Sequence, residues 1–133
     1  MIVQRLDHVN IFTEQLADTA RFYEELLDLE ARAGPPPSTN DGVIWMYDHS
    51  GQAILHLNSL AEPRMYDRGV TPGSETGAIH HIALLCNEFD EVMSRLDQRG
   101  RDYQIRDIPS VKLKQIFTAD PNNVLLELNF FYD

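Results

Sequence analysis

Apolar and polar residues alternate in two short stretches of the chain that look alike. Near the start runs Leu6-Asp7-His8-Val9-Asn10-Ile11, and from position 79 runs Ile79-His80-His81-Ile82-Ala83-Leu84. Both patterns predict a strand, and a histidine holds the third place in each, at an offset of 81 − 8 = 73. A second pair matches downstream, Ala53-Ile54-Leu55-His56-Leu57-Asn58 against Val124-Leu125-Leu126-Glu127-Leu128-Asn129, where 127 − 56 = 71. Two matches at nearly one offset predict a duplicated module of about 70 residues.

Each copy continues with a helical pattern. In the first, Asp18 is placed to cap a helix whose apolar positions are Phe22, Tyr23, Leu26 and Leu27, and Gly34 with Pro35, Pro36 and Pro37 stops the segment after it. In the second, Phe89, Val92, Met93 and Leu96 mark one face at i, i+3, i+4 and i+7, and Gly100 sits where a C-terminal cap belongs. Further strands are predicted at Glu30 to Ala33, Val43 to Tyr47, Ala53 to Asn58, Tyr103 to Arg106, Lys114 to Thr118 and Val124 to Phe130. Turn signals fall at Asp48-His49-Ser50-Gly51 and at Asp120-Pro121-Asn122-Asn123. The prediction is a single α+β domain over 1–133: a βαβββ module over 1–58, a linker over 59–77 rich in Pro and Gly, and a second βαβββ module over 78–133.

Strand periodicity sorts the polar residues by face. His8 falls with Leu6 and Asn10, His81 with Ile79 and Ala83, His56 with Ile54 and Asn58, and Glu127 with Leu125 and Asn129. If two modules pack about a pseudo-two-fold axis, equivalent faces meet, and His8, His56, His81 and Glu127 line one cavity. A lone strand histidine is more often a hydrogen-bonded, partly buried residue than a ligand. Four polar residues at repeat-equivalent places among Leu, Ile and Val are a different matter, because a carboxylate such as Glu127 is expensive to bury without a cation. Three imidazoles and one carboxylate suit one divalent ion of Fe, Mn, Ni, Co or Zn, and the lack of thiolates argues against structural zinc.

Other residues carry weaker signals. His80 is expected on the face opposite His81, and His49 falls in a turn. Trp45, Tyr47, Phe117 and Phe131 are expected in the core or a cavity wall. Lys112 and Lys114, the chain's only lysines, flank the seventh strand, where a solvated edge and contact with an anionic substrate are both open.

Composition narrows the function classes. The chain has 133 residues, 43% hydrophobic and 24% charged, the profile of a globular domain that buries roughly two-thirds of its unfolded surface. Against 21 Asp and Glu stand 11 Lys and Arg, a formal net charge of −10, which disfavours nucleic acid and anionic membrane surfaces as partners. Arg5, Arg64, Arg68 and Lys114 are left as a local exception for an anionic substrate. No apolar run approaches the roughly 20 residues of a membrane helix. No secretion signal opens the chain, and a single cysteine, Cys86, forms no internal disulfide, so a cytoplasmic protein is expected. Cys86 reads as a small core residue rather than a nucleophile. The glycines form no phosphate-binding loop.

The duplicated module, opened by Leu6-Asp7-His8-Val9 and His80-His81-Ile82-Ala83, resembles the vicinal oxygen chelate superfamily of glyoxalases, bleomycin resistance proteins and extradiol dioxygenases. The most specific stretch is Phe117-Thr118-Ala119-Asp120-Pro121-Asn122-Asn123-Val124-Leu125-Leu126-Glu127-Leu128, which looks like that family's strand, Asp-Pro turn and ligand-bearing last strand. The resemblance implies an open, curved mixed sheet around a metal cavity, often in a homodimer. It implies metal ligands on the first and last strand of each module, at His8, His56, His81 and Glu127. It also implies a metal that binds adjacent oxygens of a small organic substrate and stabilises an enolate or oxyanion.

Glyoxalase-like isomerase or lyase chemistry is the leading expectation, with Glu127 as base and His56 as a ligand or acid-base residue. Bacterial glyoxalase I usually carries Glu at the place of His56, so Glu127 is here the one ligand carboxylate able to take a proton. The alternatives are an Fe(II) or Mn(II) extradiol dioxygenase, with His8, His81 and Glu127 as a facial triad, and a metal-free binding protein of the resistance type. Specificity is assigned to the loops Gly34 to Gly42 and Ser59 to Gly77.

Overall fold

The structure, a computed structural model, describes residues 1–35, 42–61 and 68–133. Pro36, Pro37 and Arg64 lie outside the described residues, as do most of the first specificity loop and part of the linker. The chain divides into two compact units, Met1–Gly73 and Ser74–Asp133.

The first unit contains β1 (Val9–Thr13), α1 (Leu16–Leu27), β2 (Glu30–Ala33), β3 (Val43–Tyr47) and β4 (Ala53–Ser59). The second contains β5 (Ile82–Cys86), α2 (Phe89–Gln98), β6 (Gln104–Ile108), a single 3-10 turn at Pro109–Val111, β7 (Leu113–Ala119) and β8 (Leu125–Phe131). Each unit forms a four-stranded mixed sheet, in the order β1-β4-β3-β2 and β5-β8-β7-β6, with one parallel pair, β1 with β4 and β5 with β8. The duplication extends to register. Asn10 pairs with His56 and Ala83 with Glu127, while on the other side Trp45 pairs with His56 and Phe117 with Glu127. The architecture is the α+β tandem of βαβββ modules that the sequence pattern predicts.

In the first unit one face of the sheet packs on α1. Ile11, Met46, Leu55 and Leu57 meet that helix's buried stripe of Ala20, Phe22, Tyr23 and Leu26, while Leu27 is only half-buried. In the second, Leu126, Leu128 and Phe130 share a face with Ile116, and Phe89 of α2 sets its ring edge-on to Phe130 at 5.3 Å. In both sheets the alternate residues, His56 and Glu127 among them, point away from the helix.

The turn before the last strand is built twice from the same chemistry. Asp48 Oδ1 accepts from the N–H groups of Ser50 (2.9 Å) and Gln52 (3.1 Å), and Asp120 Oδ1 from those of Asn122 (2.7 Å) and Val124 (2.9 Å). Gly51 and Asn123 take the left-handed position of each, at φ 88° and 64°. Glycine and asparagine are the residues that tolerate it.

Three expectations need correction, and one left open is narrowed. The first strand of each module starts later than alternation predicts, at Val9 and Ile82, leaving Leu6 75% exposed. The upstream carbonyls are taken by side chains instead of the ladder: Gln52 Nε2 donates to Leu6 O (3.3 Å) and Asp7 O (2.6 Å), and the Thr76 hydroxyl donates to Ile79 O. His8 and His81 therefore stand on lead-in segments, where strand alternation does not orient them.

Asp18 does not cap α1. The helix begins a turn earlier, where Thr13 Oγ1 accepts from Gln15 N (2.8 Å) and Thr19 Oγ1 donates to Gln15 O (2.7 Å). Asp18, inside the first turn, pairs with Arg21 at 2.9 Å and complements the helix dipole. Lys114 faces the α2 side, opposite Phe130, with its Nζ 5.0 Å from the Phe89 ring centre, so it is turned from the Glu127 face. Phe131, expected in a core or wall, is 63% exposed.

The end of α2 matches its expectation. Gly100 N–H donates to Asp97 O (3.1 Å) and Arg101 N–H to Leu96 O (3.0 Å), a Schellman closure with Gly100 at φ 62°. An added Cβ at Gly100 would meet nothing within 4 Å, so Gly100→Ala carries only the backbone cost of about 1–2 kcal/mol. Urea titration should show a lower midpoint for Gly100→Ala and recovery of most of the loss in Gly100→Asn.

Candidate functional site

In the first unit His56, in β4, lies between two parallel rings. The Trp45 indole, its register partner on β3, stacks on one face at 3.8 Å and 8°, and the His8 imidazole on the other at 3.7 Å and 11°. Burial, then the neighbouring His8, push the His56 pKa below the usual imidazole value, while Asp7 opposes weakly. The two flanking rings hold the His56 imidazole in one plane. His8 Nδ1 bonds Asp7 Oδ1 at 2.7 Å, an arrangement that leaves Nε2 with the free lone pair. The same bond holds the exposed Asp7 carboxyl below the ordinary range. Beside them Asn58 Nδ2 donates to Asn10 Oδ1 across the parallel pair.

The second unit builds a comparable group at repeat-equivalent positions. Glu127, with 18% of its side chain exposed, has its Oε1 at 3.6 Å from His81 Nε2. Its Oε2 accepts from Asn129 Nδ2 at 2.9 Å, and Asn129 Oδ1 accepts from Gln115 Nε2 at 3.0 Å. The His81 ring is set from behind by His80, whose Nδ1 is 2.9 Å from His81 Nδ1. His80 and His81 are therefore in contact rather than on opposite faces, because both precede β5.

The four sequence-predicted residues thus occur as two pairs, His8 with His56 and His81 with Glu127. Among the described residues no group of three or more His, Cys, Asp or Glu side chains stands in metal-holding geometry. A ligating imidazole holds its ion in the ring plane, so His8 and His56, stacked face to face, do not share an ion until one ring turns. The His81–Glu127 pair needs no such turn: an imidazole nitrogen and a carboxylate oxygen face each other, a donor set suited to a first-row divalent ion.

His49 is exposed in its turn. Cys86, half-buried in β5 with its thiol directed at Leu84 O at 3.6 Å, has a pKa raised by burial to about 11. At pH 8 roughly one such thiol in a thousand is ionised. Iodoacetamide should therefore modify the folded protein on the order of a hundredfold more slowly than the urea-unfolded chain, as read by mass spectrometry.

Single-residue reasoning missed the amide chain behind Glu127 and the indole on His56. One signal was present: Asn58 and Asn129 stand two places after His56 and Glu127, at the same offset, 129 − 58 = 71.

No curated protein matches the chain. Solved structures similar to it include a virulence protein from Salmonella typhimurium (19% identity, TM-score 0.70, covering 99% of this chain and 100% of that one). A fosfomycin resistance protein from Listeria monocytogenes is also similar (16%, TM-score 0.67, 98% and 96%). So is a lactoylglutathione lyase from Agrobacterium tumefaciens (13%, TM-score 0.66, 98% and 96%). At these identities the likeness is one of fold. The sequence profile of one family matches residues 5–128, nearly the whole chain, and with the duplicated βαβββ units it establishes that the chain belongs to the Glyoxalase/Bleomycin resistance protein/Dioxygenase superfamily.

Proposed function

We propose that the protein is a divalent-metal-dependent enzyme that binds vicinal oxygens of a small organic substrate and catalyses an isomerase- or lyase-type proton transfer. The observation that carries this reading is the Glu127 carboxylate, with one oxygen tied to Asn129 and the other facing His81 Nε2. His8, His56, His81 and Glu127 are the residues assigned to hold Fe, Mn, Ni, Co or Zn, His8 or His56 turning out of the stack to do so. The ion, when bound, supplies Lewis-acid stabilisation of charge developing on the substrate oxygens. Glu127 Oε1 is the atom assigned to take and return the substrate proton. Asp7 and His80 hold the Nδ1 atoms of His8 and His81, and so present each Nε2. The lactoylglutathione lyase among the fold relatives is consistent with this chemistry.

Metal analysis of the purified, metal-reconstituted chain is the direct test. The expected result is close to one ion per site; a folded sample that takes up none of Fe, Mn, Ni, Co or Zn would sink the reading. The working unit is taken to be a cytoplasmic homodimer, which light scattering should register as twice the chain mass.

One observation favours a second reading. The stack that holds His56 between Trp45 and His8 suits a residue standing off the ion as an acid-base group. His8, His81 and Glu127 would then form the ligand set of a ring-cleaving dioxygenase. Oxygen uptake by the Fe(II)- or Mn(II)-reconstituted protein with catechols selects this reading, and its absence alongside metal-dependent proton exchange selects the first.

A further inference from the structure

Gln115 lies in β7 opposite Asn129, on the face that carries Glu127, and only 6% of its surface is exposed. The chain of amides it belongs to has a forced direction. A carboxylate only accepts hydrogen bonds, so Asn129 must turn its NH2 to Glu127 and its oxygen to Gln115. Gln115 must then turn its own NH2 to Asn129. What remains at the end of the chain is an acceptor, Gln115 Oε1, and among the described residues it is the one buried side-chain nitrogen or oxygen without a hydrogen-bond partner. Rotating the amide does not relieve it, because that would set two oxygens against each other. Leaving such an atom unpaired costs about 1–3 kcal/mol, a cost a bound donor removes.

We propose that Gln115 is a specificity-determining residue: its Oε1 accepts a hydrogen bond from an O–H or N–H group of the ligand bound beside Glu127. This role rests on the metal-centre reading above and names the class of substrate it takes. Gln115 stands opposite a residue two places along β8 from Glu127, roughly 7 Å away. The donor is therefore carried on a substituent beyond the chelating oxygens, as a hydroxyl, amine, or primary or secondary amide. An ether, alkyl group or tertiary amide in that place leaves Oε1 buried without a partner and is rejected.

The test uses the full chain loaded with Mn(II) and two chelating probes that differ only in the donor, 3,4-dihydroxybenzamide and its N,N-dimethyl amide, titrated calorimetrically without oxygen. The wild type should bind the primary amide about tenfold more tightly. Gln115→Met, which keeps the length and removes the acceptor, should bring the two affinities within about twofold of each other by weakening the primary amide alone. A wild-type protein that does not distinguish the probes overturns the proposal without reference to any variant, and so does a Gln115→Met protein that keeps the preference. Manganese content of the same samples keeps the two readings apart. A folded chain without manganese overturns the metal centre and this role with it, whereas a loaded chain without the preference overturns the role of Gln115 alone.

Discussion

Glu127→Gln is expected to lower the affinity for the divalent ion by at least about a hundredfold and turnover by about 10²–10⁴-fold, with little change in the stability of the metal-free protein. The sign on stability comes from the contacts. Glutamine keeps a carbonyl oxygen for Asn129 Nδ2, so the bond now made at 2.9 Å has a replacement acceptor, and no sheet hydrogen bond involves the side chain. What is lost is the negative charge and the proton-accepting oxygen facing His81. Metal content after dialysis against a weak chelator, with turnover and urea unfolding on the same preparation, checks all three. A variant that retains its ion and its rate would remove Glu127 from the centre and return the Glu127–His81 contact to an ordinary surface pair.

The largest effect on folding is expected at Leu57→Ala. Leu57 is fully buried in β4, between Ile11 and Ile44 in register and beneath α1, which packs on both β3 and β4. Removing three heavy carbons there forfeits their burial and leaves a space that two strands and a helix cannot close, at about 3 kcal/mol. For a chain of this size that corresponds to a melting midpoint lower by roughly 10 °C. Leu85→Ala is the matched control: its side chain is 79% exposed, and the change should stay within about 0.5 kcal/mol. Calorimetry on both variants decides whether the core lies on the helix side of the sheet, as the alternation of Leu55 and Leu57 with His56 requires.

Much of the architecture was legible because hydrophobic period and turn chemistry agreed. Val43–Tyr47 and Glu30–Ala33 are strands at the predicted bounds, and Ala53–Ser59 differs by one residue at its end. The Asp48 and Asp120 turns announced themselves through an aspartate followed by a residue able to take a left-handed backbone. The misplaced strand starts have a different origin. Whether Leu6 and Asp7 join a ladder depends on Gln52, more than forty positions away, whose amide takes their carbonyls. Asp18 misled for a similar reason: the residues that start α1 are threonines at 13 and 19, which reach each other only after the helix has formed.

At the site, the repeat offset pairs His8 with His81 and His56 with Glu127, and sheet register repeats the second pairing, whereas strand period does not reach His8 and His81, which precede their strands. The Trp45 indole on His56 and the amide chain from Glu127 to Gln115 depend on cross-strand register and side-chain rotamers. Neither is a property of any short stretch of sequence.

The lead-in segments before β1 and β5 separate two demands that most binding sites must satisfy together. His56 and Glu127 stand inside ladders, where their substitution is constrained by neighbours on both sides, whereas His8 and His81 are oriented by the residues just before them, Asp7 and His80. A carboxylate behind one imidazole makes it a stronger electron donor than an imidazole behind the other. In the metal centre proposed above, positions 7 and 80 are thus places where donor strength can be retuned, and one module made to differ from its twin, without breaking a single strand–strand hydrogen bond. Two copies of a module arranged this way can drift apart in chemistry while remaining the same in fold.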